Sequence, residues 1–230
     1  MTADDHLYLY EEIMLLALRD KEGTISSGVM YQHAIAGAIL AELLLDNHIT
    51  LDKTSKRKLI DVTATARVGD PLLDECLEKV RSKRRASMQT WISRFSGIKD
   101  LKHRVAGQLC RRGILRADED QVLMIFSRKI YPEVNPEPER RLVNRLRNAI
   151  FTDTEELDPR TVVLVSLAHN TELLKATFDK KELKSRKKRI KQIVDGEITG
   201  KAAKEAIDAM HAAVMVSCIM PAIVATSVAS

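Results

Sequence analysis

The segment LYLYEEIMLLALRDKEG, residues 7–23, decides the fold class of this chain. Four of its aliphatic side chains recur at helical spacing, and these are Leu9, Ile13, Leu16 and Ala17. The pattern predicts a core helix that closes on the charged residues after it and stops at Gly23. The neighbouring Glu11 and Glu12 point about 100° apart on a helix, so they cannot share a proton or a metal ion. We expect them to be structural, because acids in a first turn complement the helix dipole.

The composition indicates a globular protein built mainly from helices. Of the 230 residues 45% are apolar and 30% are charged, which excludes a disordered chain, and only 4% are aromatic. The core must therefore come from Leu, Ile, Val, Ala and Met, which points toward helices. Three scattered cysteines form no C-x-x-C pair, which indicates reduced thiols in a cytosolic protein rather than a disulfide scaffold or a zinc site. The acidic start MTADDH does not have the pattern of a secretory signal.

Further helix and strand signals follow along the chain. Residues 29–46 surround the small-residue centre AIAGAILAEL, and Asp70 with Pro71 marks the N-cap and first position of another helix. Helices are also predicted for MQTWISRFSG, IKDLKHRVAGQLCRRG, NPEPERRLVNRLRNAIF, LDPRTVVLVSLAHNTELLKATF, DKKELKSRKKRIKQIVDG and the stretch from residue 201. HITL and KLIDV alternate like two short strands or an irregular hairpin, and ILRADEDQVLMIFSRKIYP indicates two short strands about a charged turn, so we expect one or two small β-hairpins. We expect one all-α, mainly helical domain over residues 1–230.

No residue pattern in the sequence indicates a catalytic site or a bound metal. The six histidines lack metal-ligand spacing, and the G-x-S-x-G, P-loop and G-x-G-x-x-G motifs are missing from the sequence. We therefore predict a protein that is not an enzyme and needs no cofactor.

Two stretches bear on membranes, and the net charge of +5 adds a mild preference for anionic partners. Residues 180–192, KKELKSRKKRIKQ, hold eight basic residues and one acid above an apolar stripe. The basic face of such a helix is either simply exposed to solvent, which is the simpler interpretation, or it binds anionic lipid or nucleic-acid phosphates electrostatically. From Ala209 onward the chain has no formal charge, but Pro221 and weak hydrophobicity favour a buried terminal helix and a loose tail over a bilayer span.

Residues 89–131 offer a different class of function. Two helices divided by Gly97 and followed by a hairpin with basic edges resemble a winged helix that reads DNA. Base-reading Asn, Gln and Arg side chains do not cluster on the exposed side of the second helix, which weakens this interpretation.

Seven segments, in order, resemble the Golgi phosphoprotein 3 family of peripheral membrane proteins, with this chain as a divergent or bacterial-type member. They are LYLYEEIMLLALRDKEG, IAGAILAEL, DPLLDECLEKV, QTWISRFSG, VAGQLCRRGIL, DPRTVVLVSLAHNTELL and KRIKQIVDG. The resemblance implies apolar central helices ringed by amphipathic ones, over a core from about residue 7 to 216 with an apolar tail from 217 to 230. It also implies binding of phosphatidylinositol 4-phosphate on Golgi membranes, where the eukaryotic members connect glycosyltransferase tails to a vesicle coat.

The resemblance implies only half of the family's phosphate pocket. Two of its arginines fall on Lys99 and Lys102, with Arg104 just beyond, and the spacing of three predicts both ammonium groups on one helix face. Lysine lacks the bidentate fork of arginine, so the grip would be looser. The pocket's tryptophan position falls near Ser27 and its other arginine position on Ala36, which leaves the headgroup specificity open. The arginine cluster used for coat binding has no counterpart in MTADDH.

Two further surfaces belong to this expectation. A short apolar run in the family's protruding β-loop would insert at a lipid interface or pair with another subunit, with ordinary strand packing as the simpler alternative. A secondary basic patch would assist membrane adhesion. These two surfaces comprise Met124, Ile125 and Phe126, and Arg186, Lys187, Lys188 and Arg189.

The sequence thus predicts a non-enzymatic, cytoplasmic protein that is peripherally associated with membranes, at the cytosolic face of the Golgi in a eukaryote. Its expected ligand is an anionic, phosphoinositide-like lipid. The alternatives are a nucleic-acid-binding module using residues 89–131 and an adaptor that binds only protein. Protein partners and a homo-oligomer formed through the hairpin are further expectations, and nucleic acid is the less expected partner.

Overall fold

A computed structural model describes residues 6–18, 22–25, 30–52, 54, 58–63, 66–122 and 126–198. The helices in these ranges are α1 (Leu9–Ala17), α2 (Tyr31–Leu45), α3 (Pro71–Ser82), α4 (Met88–Ser96), α5 (Leu101–Arg111), α6 (Glu137–Phe151), α7 (Pro159–Asn170), α8 (Leu173–Thr177), α9 (Lys180–Ser185) and α10 (Lys187–Val194). Strands β1 (Ile49–Leu51) and β2 (Ile60–Val62) form one antiparallel pair, and β3 (Asp118–Val122) and β4 (Phe126–Ile130) form another. The predicted fold class, mainly helical with one or two small hairpins, is confirmed, and the described residues contain two.

Helices α1 and α2 form the centre of the molecule. All nine residues of α1 and ten of the fifteen in α2 are buried. Helix α1 packs on α2 and α5, while α2 also packs on α4 and α7. The small side chains of α2, with Gly37 among them, let these neighbours approach closely. The prediction that the first helix belongs to the core is confirmed, and the helix is covered all round rather than on one face.

Asp-Pro pairs start two of the helices around this centre. The Asp70 carboxylate accepts hydrogen bonds from the backbone N–H groups of Leu72 at 3.0 Å and Leu73 at 2.8 Å. Asp158 accepts one from Thr161 N at 2.9 Å. Such a cap is worth about 1 kcal/mol because it satisfies N–H groups that have no partner inside the helix. The N-cap predicted at Asp70 is confirmed.

Three buried glutamates tie the central helices to their surroundings. Each carboxylate meets an arginine of another helix or of the turn after α5, and the pairs are Glu11–Arg112 at 2.6 Å, Glu12–Arg145 at 2.7 Å and Glu42–Arg160 at 2.5 Å. Burial raises the pKa of Glu11 and of Glu12, while their arginine partners oppose that shift. Glu11 and Glu12 therefore bind different cations, as side chains 100° apart on a helix must.

Two stretches predicted as single helices are interrupted. The apolar helix α7 ends at Asn170, because Glu172 adopts a left-handed conformation with φ of 67° before α8 begins. The basic stretch breaks at Arg186, between α9 and α10. There the Arg186 guanidinium donates to Ile150 O at 3.0 Å and to Asp153 at 2.9 Å. Both breaks correct the prediction, and the second accompanies a tertiary contact with the end of α6.

Gly23 does not end α1, contrary to the prediction. The helix stops at Ala17, and a β-bridge between Leu18 and Ile25 follows. Gly23 lies between the bridged residues with φ of 59°, and its carbonyl accepts from Tyr131 N at 2.9 Å. A Cβ atom at this position would lie 2.3 Å from the Tyr131 carbonyl carbon. Glycine is required because the segment after β4 crosses directly over it.

The structure expected for the C-terminal segment remains a prediction. The helix expected from residue 201 and the apolar tail lie outside the described residues. Within the described ranges, no helix combines the length and the hydropathy that a bilayer crossing needs.

Candidate anion-binding face

Tyr131 is the centre of the candidate face. It follows strand β4, is 4% exposed, and its hydroxyl lies 2.8 Å from His103 Nδ1 on α5. The two ring centroids are 5.8 Å apart at an angle of 46°. Burial raises the pKa of Tyr131, so the phenol stays neutral near pH 7. This contact fixes the base of the hairpin against α5.

Lys102 lies beside Tyr131 as a half-buried cation. Its Nζ is 5.9 Å from the centroid of the Tyr131 ring, within the range of a cation–π contact. Burial lowers the pKa of Lys102, and the positive charge of Arg128 lowers it further. Within the described residues no carboxylate forms an ion pair with Lys102. This ammonium group has therefore lost part of its hydration, and the described residues offer it no anion in return.

The hairpin supplies the second cation of the face. Its register pairs Asp120 with Arg128 and Glu119 with Lys129 across β3 and β4. Arg128 Nε and Nη2 donate to Asp120 Oδ2 at 3.0 and 2.6 Å. The predicted charged turn is therefore wrong, because the acids lie inside β3, where Asp120 pairs with Arg128 across the hairpin. Arg128 is positioned toward Lys102 by this pairing.

The lysines and the arginine that the sequence grouped together do not lie on one helix face. Lys99 is exposed in the turn before α5, because Asp100 adopts a left-handed conformation with φ of 56° and the helix begins only at Leu101. The prediction that Lys99 and Lys102 share a helix face is therefore wrong in its geometry. Arg104 turns toward α3, where it meets Glu75 at 2.6 Å and holds the pKa of that carboxyl below its usual range.

Comparison with known proteins identifies the relatives of the chain. The sequence model of the Golgi phosphoprotein 3 (GPP34) family matches residues 9–210. This chain belongs to that family. Vacuolar protein sorting-associated protein 74 from Eremothecium gossypii is similar to it, with 25% identity over 205 aligned residues. The alignment covers 75% of this chain but only 62% of that relative's length. The resemblance drawn from the seven segments is confirmed.

The other half of the Golgi phosphoprotein 3 pocket is not assembled by described residues. Ala36 is completely buried in α2, so its side chain belongs to the core rather than to a headgroup site. Ser27 lies outside the described residues.

Sequence reasoning missed the parts that Arg128, Tyr131 and His103 play at this face. Arg128 and Lys129 form a basic pair at the end of the hairpin, and this pair was the one local signal for a cationic strand edge. The aromatic platform left no signal, because His103 and Tyr131 are separated by 28 positions.

The two accessory surfaces of this Golgi phosphoprotein 3 relative remain predictions. Met124 and Ile125 lie outside the described residues, and Phe126 is placed only as the first residue of β4. In the basic patch, Arg189 Nε donates to Ala149 O at 3.1 Å, as Arg186 does to the neighbouring carbonyl. Two of the four cations thus close the end of α6, whereas the other two, Lys187 and Lys188, are exposed.

The winged-helix alternative finds little support in the geometry of α5. Leu101, Val105 and Leu109 bury this helix against the core. Its single amide side chain, Gln108, is 9% exposed; it donates to Asp70 at 2.6 Å and accepts from the Tyr10 hydroxyl at 3.2 Å. This amide is therefore unavailable to read a base edge. In the described part of the chain, no group of three His, Cys, Asp or Glu side chains could hold a metal ion.

Proposed function

We propose that this protein is a non-enzymatic peripheral membrane protein that binds anionic lipid headgroups. The binding face would comprise Lys99, Lys102 and Arg104, the set that the sequence singled out, with Arg128 added from the structure. Membership of the Golgi phosphoprotein 3 family favours phosphatidylinositol 4-phosphate as the headgroup. The observation that carries the proposal is the half-buried, unpaired ammonium group of Lys102 beside Arg128.

A phosphate monoester suits this arrangement on electrostatic grounds. Two neighbouring cations repel each other, and an anion between them would replace the water that Lys102 has lost. Lys99, exposed in the adjoining turn, would add a contact. Arg104 and Arg128 would each contribute less than Lys102, because Glu75 and Asp120 already accept from their guanidinium groups at 2.6 Å. The binding is therefore a charge contact on an intact helical core, with no chemical step.

The proposed location is the cytoplasmic surface of an internal membrane. In a cell with a Golgi apparatus this would be its cytosolic face, in keeping with the name of the family. The name of the E. gossypii relative associates that protein with vacuolar sorting. We include protein partners, and self-association through residues 124–126 of the hairpin, as parts of this proposal.

Liposome flotation tests the proposal. The wild-type protein would be floated with neutral phosphatidylcholine vesicles, with phosphatidylserine vesicles and with vesicles that contain phosphatidylinositol 4-phosphate, at low and at high salt. We expect capture by the phosphoinositide vesicles that falls as salt rises, because screening acts within about 8 Å at physiological ionic strength. Lys99→Ala/Lys102→Ala should abolish the selectivity.

The same assay separates the alternatives. Equal capture by both anionic lipids would reduce the function to general electrostatic adhesion. No capture at low salt would refute membrane binding, and duplex DNA added to the same buffer would then show whether residues 89–131 bind nucleic acid. If neither lipid nor DNA binds, an adaptor that recognises only protein would remain.

A further inference from the structure

A second surface of the molecule carries an apolar groove that the proposed lipid-headgroup face does not use. It has a volume of about 450 Å³ and lies between the end of α7, α8, α9 and α10. Its apolar lining consists of Leu174, Leu183, Ile190 and Val194. The volume falls within the range of about 300–1,000 Å³ that is typical of small-molecule sites.

The rim of this groove is uniformly basic. Five lysines line it, Lys175, Lys180, Lys184, Lys187 and Lys191, and among the described residues no acidic side chain does. Lys175 pairs with Glu172, and Lys191 pairs with Asp195 at 2.7 Å. The remaining three lysines are exposed and make no ion pair with any described residue. The groove therefore combines an apolar floor with an excess of positive charge at its mouth.

One further feature favours an anion at the mouth. Asn170, which lines the groove, has a buried Nδ2 group with no hydrogen-bond partner in the described structure. An anionic ligand group would relieve both the crowded charge and the unsatisfied donor.

We propose that this groove binds a single-chain anionic amphiphile, a fatty carboxylate being the simplest example. The hydrocarbon chain would lie along Leu174, Leu183 and Ile190, and the carboxylate would sit among the unpaired lysines. Charge complementarity selects an anion over a neutral or cationic amphiphile. The size selects a small molecule over a second copy of the chain, since stable protein interfaces bury about 1,200–2,000 Å². This site is independent of the Lys102 face.

Titration calorimetry with monomeric laurate, in buffer without vesicles, tests this inference on the 230-residue chain. We expect one site per chain and roughly 15-fold weaker binding of decanoate, because two methylenes fewer are buried. Dodecyltrimethylammonium, which has the same tail and the opposite charge, should not bind measurably. Lys184→Glu/Lys187→Glu should weaken laurate binding by about tenfold or more. Lys83→Glu/Arg84→Glu, the same charge change on exposed residues after α3, should leave it unchanged.

Three results would overturn the inference. They are no laurate binding, equal binding of the cationic amphiphile, and equal effects of the two charge reversals. Leu183→Gln places a polar group on a half-buried part of the floor and should also weaken laurate, with circular dichroism confirming an intact fold. If laurate fails and Leu183→Gln instead disrupts self-association in sedimentation, the occupant is a second copy. Lys99→Ala/Lys102→Ala should keep full laurate affinity, so this test and vesicle flotation can fail separately.

Discussion

Removal of the Arg160 guanidinium should strongly destabilise the fold. The Glu42 carboxylate is 1% exposed and accepts from Arg160 Nη1 at 2.5 Å, from Arg160 Nη2 at 3.0 Å and from Leu9 N at 2.6 Å. Arg160→Met keeps an apolar stem but leaves Glu42 with one donor between α1 and α2. Breaking one side of a buried pair costs about 3–5 kcal/mol, because the remaining charge is neither hydrated nor compensated.

Urea unfolding followed by circular dichroism measures this cost. With a slope of about 3 kcal/mol per molar urea, Arg160→Met should lower the midpoint by about 1 M or more. Glu42→Leu/Arg160→Met should be more stable than Arg160→Met alone, because the stranded charge is removed with its partner.

Arg140→Met provides the matched control. Arg140 pairs with Glu137 at 3.2 Å on the surface of α6, and its side chain is 64% exposed. That change should cost less than about 0.5 kcal/mol, as exposed helix pairs do. The reasoning would be refuted if Arg160→Met stayed within about 1 kcal/mol of wild type. It would also fail if the double variant were less stable than Arg160→Met.

Three other predictions concern single positions. Burial raises the pKa of Glu12, so the free energy of unfolding of wild type falls relative to that of Glu12→Gln as the pH rises from about 4 to about 7. The stability lost in Glu12→Gln, measured by urea unfolding, should therefore shrink over that range, and a growing loss would contradict this prediction. Gly23→Ala should lower the Tm by about 5 °C or more, since the new Cβ would lie 2.3 Å from neighbouring backbone. Gly69→Ala, with φ of 94° and no atom within 4 Å, should cost less, and equal shifts would count against the steric argument. Burial raises the pKa of Cys76 to about 12, so its thiol carries little of the reactive thiolate. Peptide mapping should find Cys76 unmodified by iodoacetamide in the native protein and modified in urea. Rapid labelling of the native protein would contradict this prediction.

Features set by neighbouring residues could be predicted from the sequence. The carboxylate of Asp70 caps the turn that directly follows it, and Pro71 fits the first helical position for a local steric reason. The burial of α1 followed from its dense aliphatic content. The two hairpins followed from alternating apolar residues, which are a property of the strands themselves.

Features set by distant contacts could not be predicted in this way. The arginine partners of Glu11 and Glu12 lie 101 and 133 positions away. The break at Arg186 coincides with its bonds to the end of α6, which its own neighbours do not reveal.

The candidate site also combines a feature predicted from the sequence with features that depend on distant contacts. Lys102 was predicted from a family pattern, whereas its neighbours Arg128 and Tyr131 were not. Its approach to Arg128 depends on the register of β3 and β4, and its aromatic platform depends on Tyr131 crossing Gly23. Lys99 was placed wrongly because one left-handed residue, Asp100, delays the start of α5.

We propose that the positive charge of Lys102 binds an anionic headgroup. The most direct test is the equilibrium affinity of Lys102→Met for vesicles containing phosphatidylinositol 4-phosphate, measured beside Lys83→Met as the control. Methionine preserves the aliphatic stem beside Tyr131 and removes only the ammonium group. We predict a loss of about tenfold or more for Lys102→Met, since a hydrogen bond to a charged group is worth about 1.5–3 kcal/mol, and little change for Lys83→Met. Equal affinities for the two variants would contradict the account.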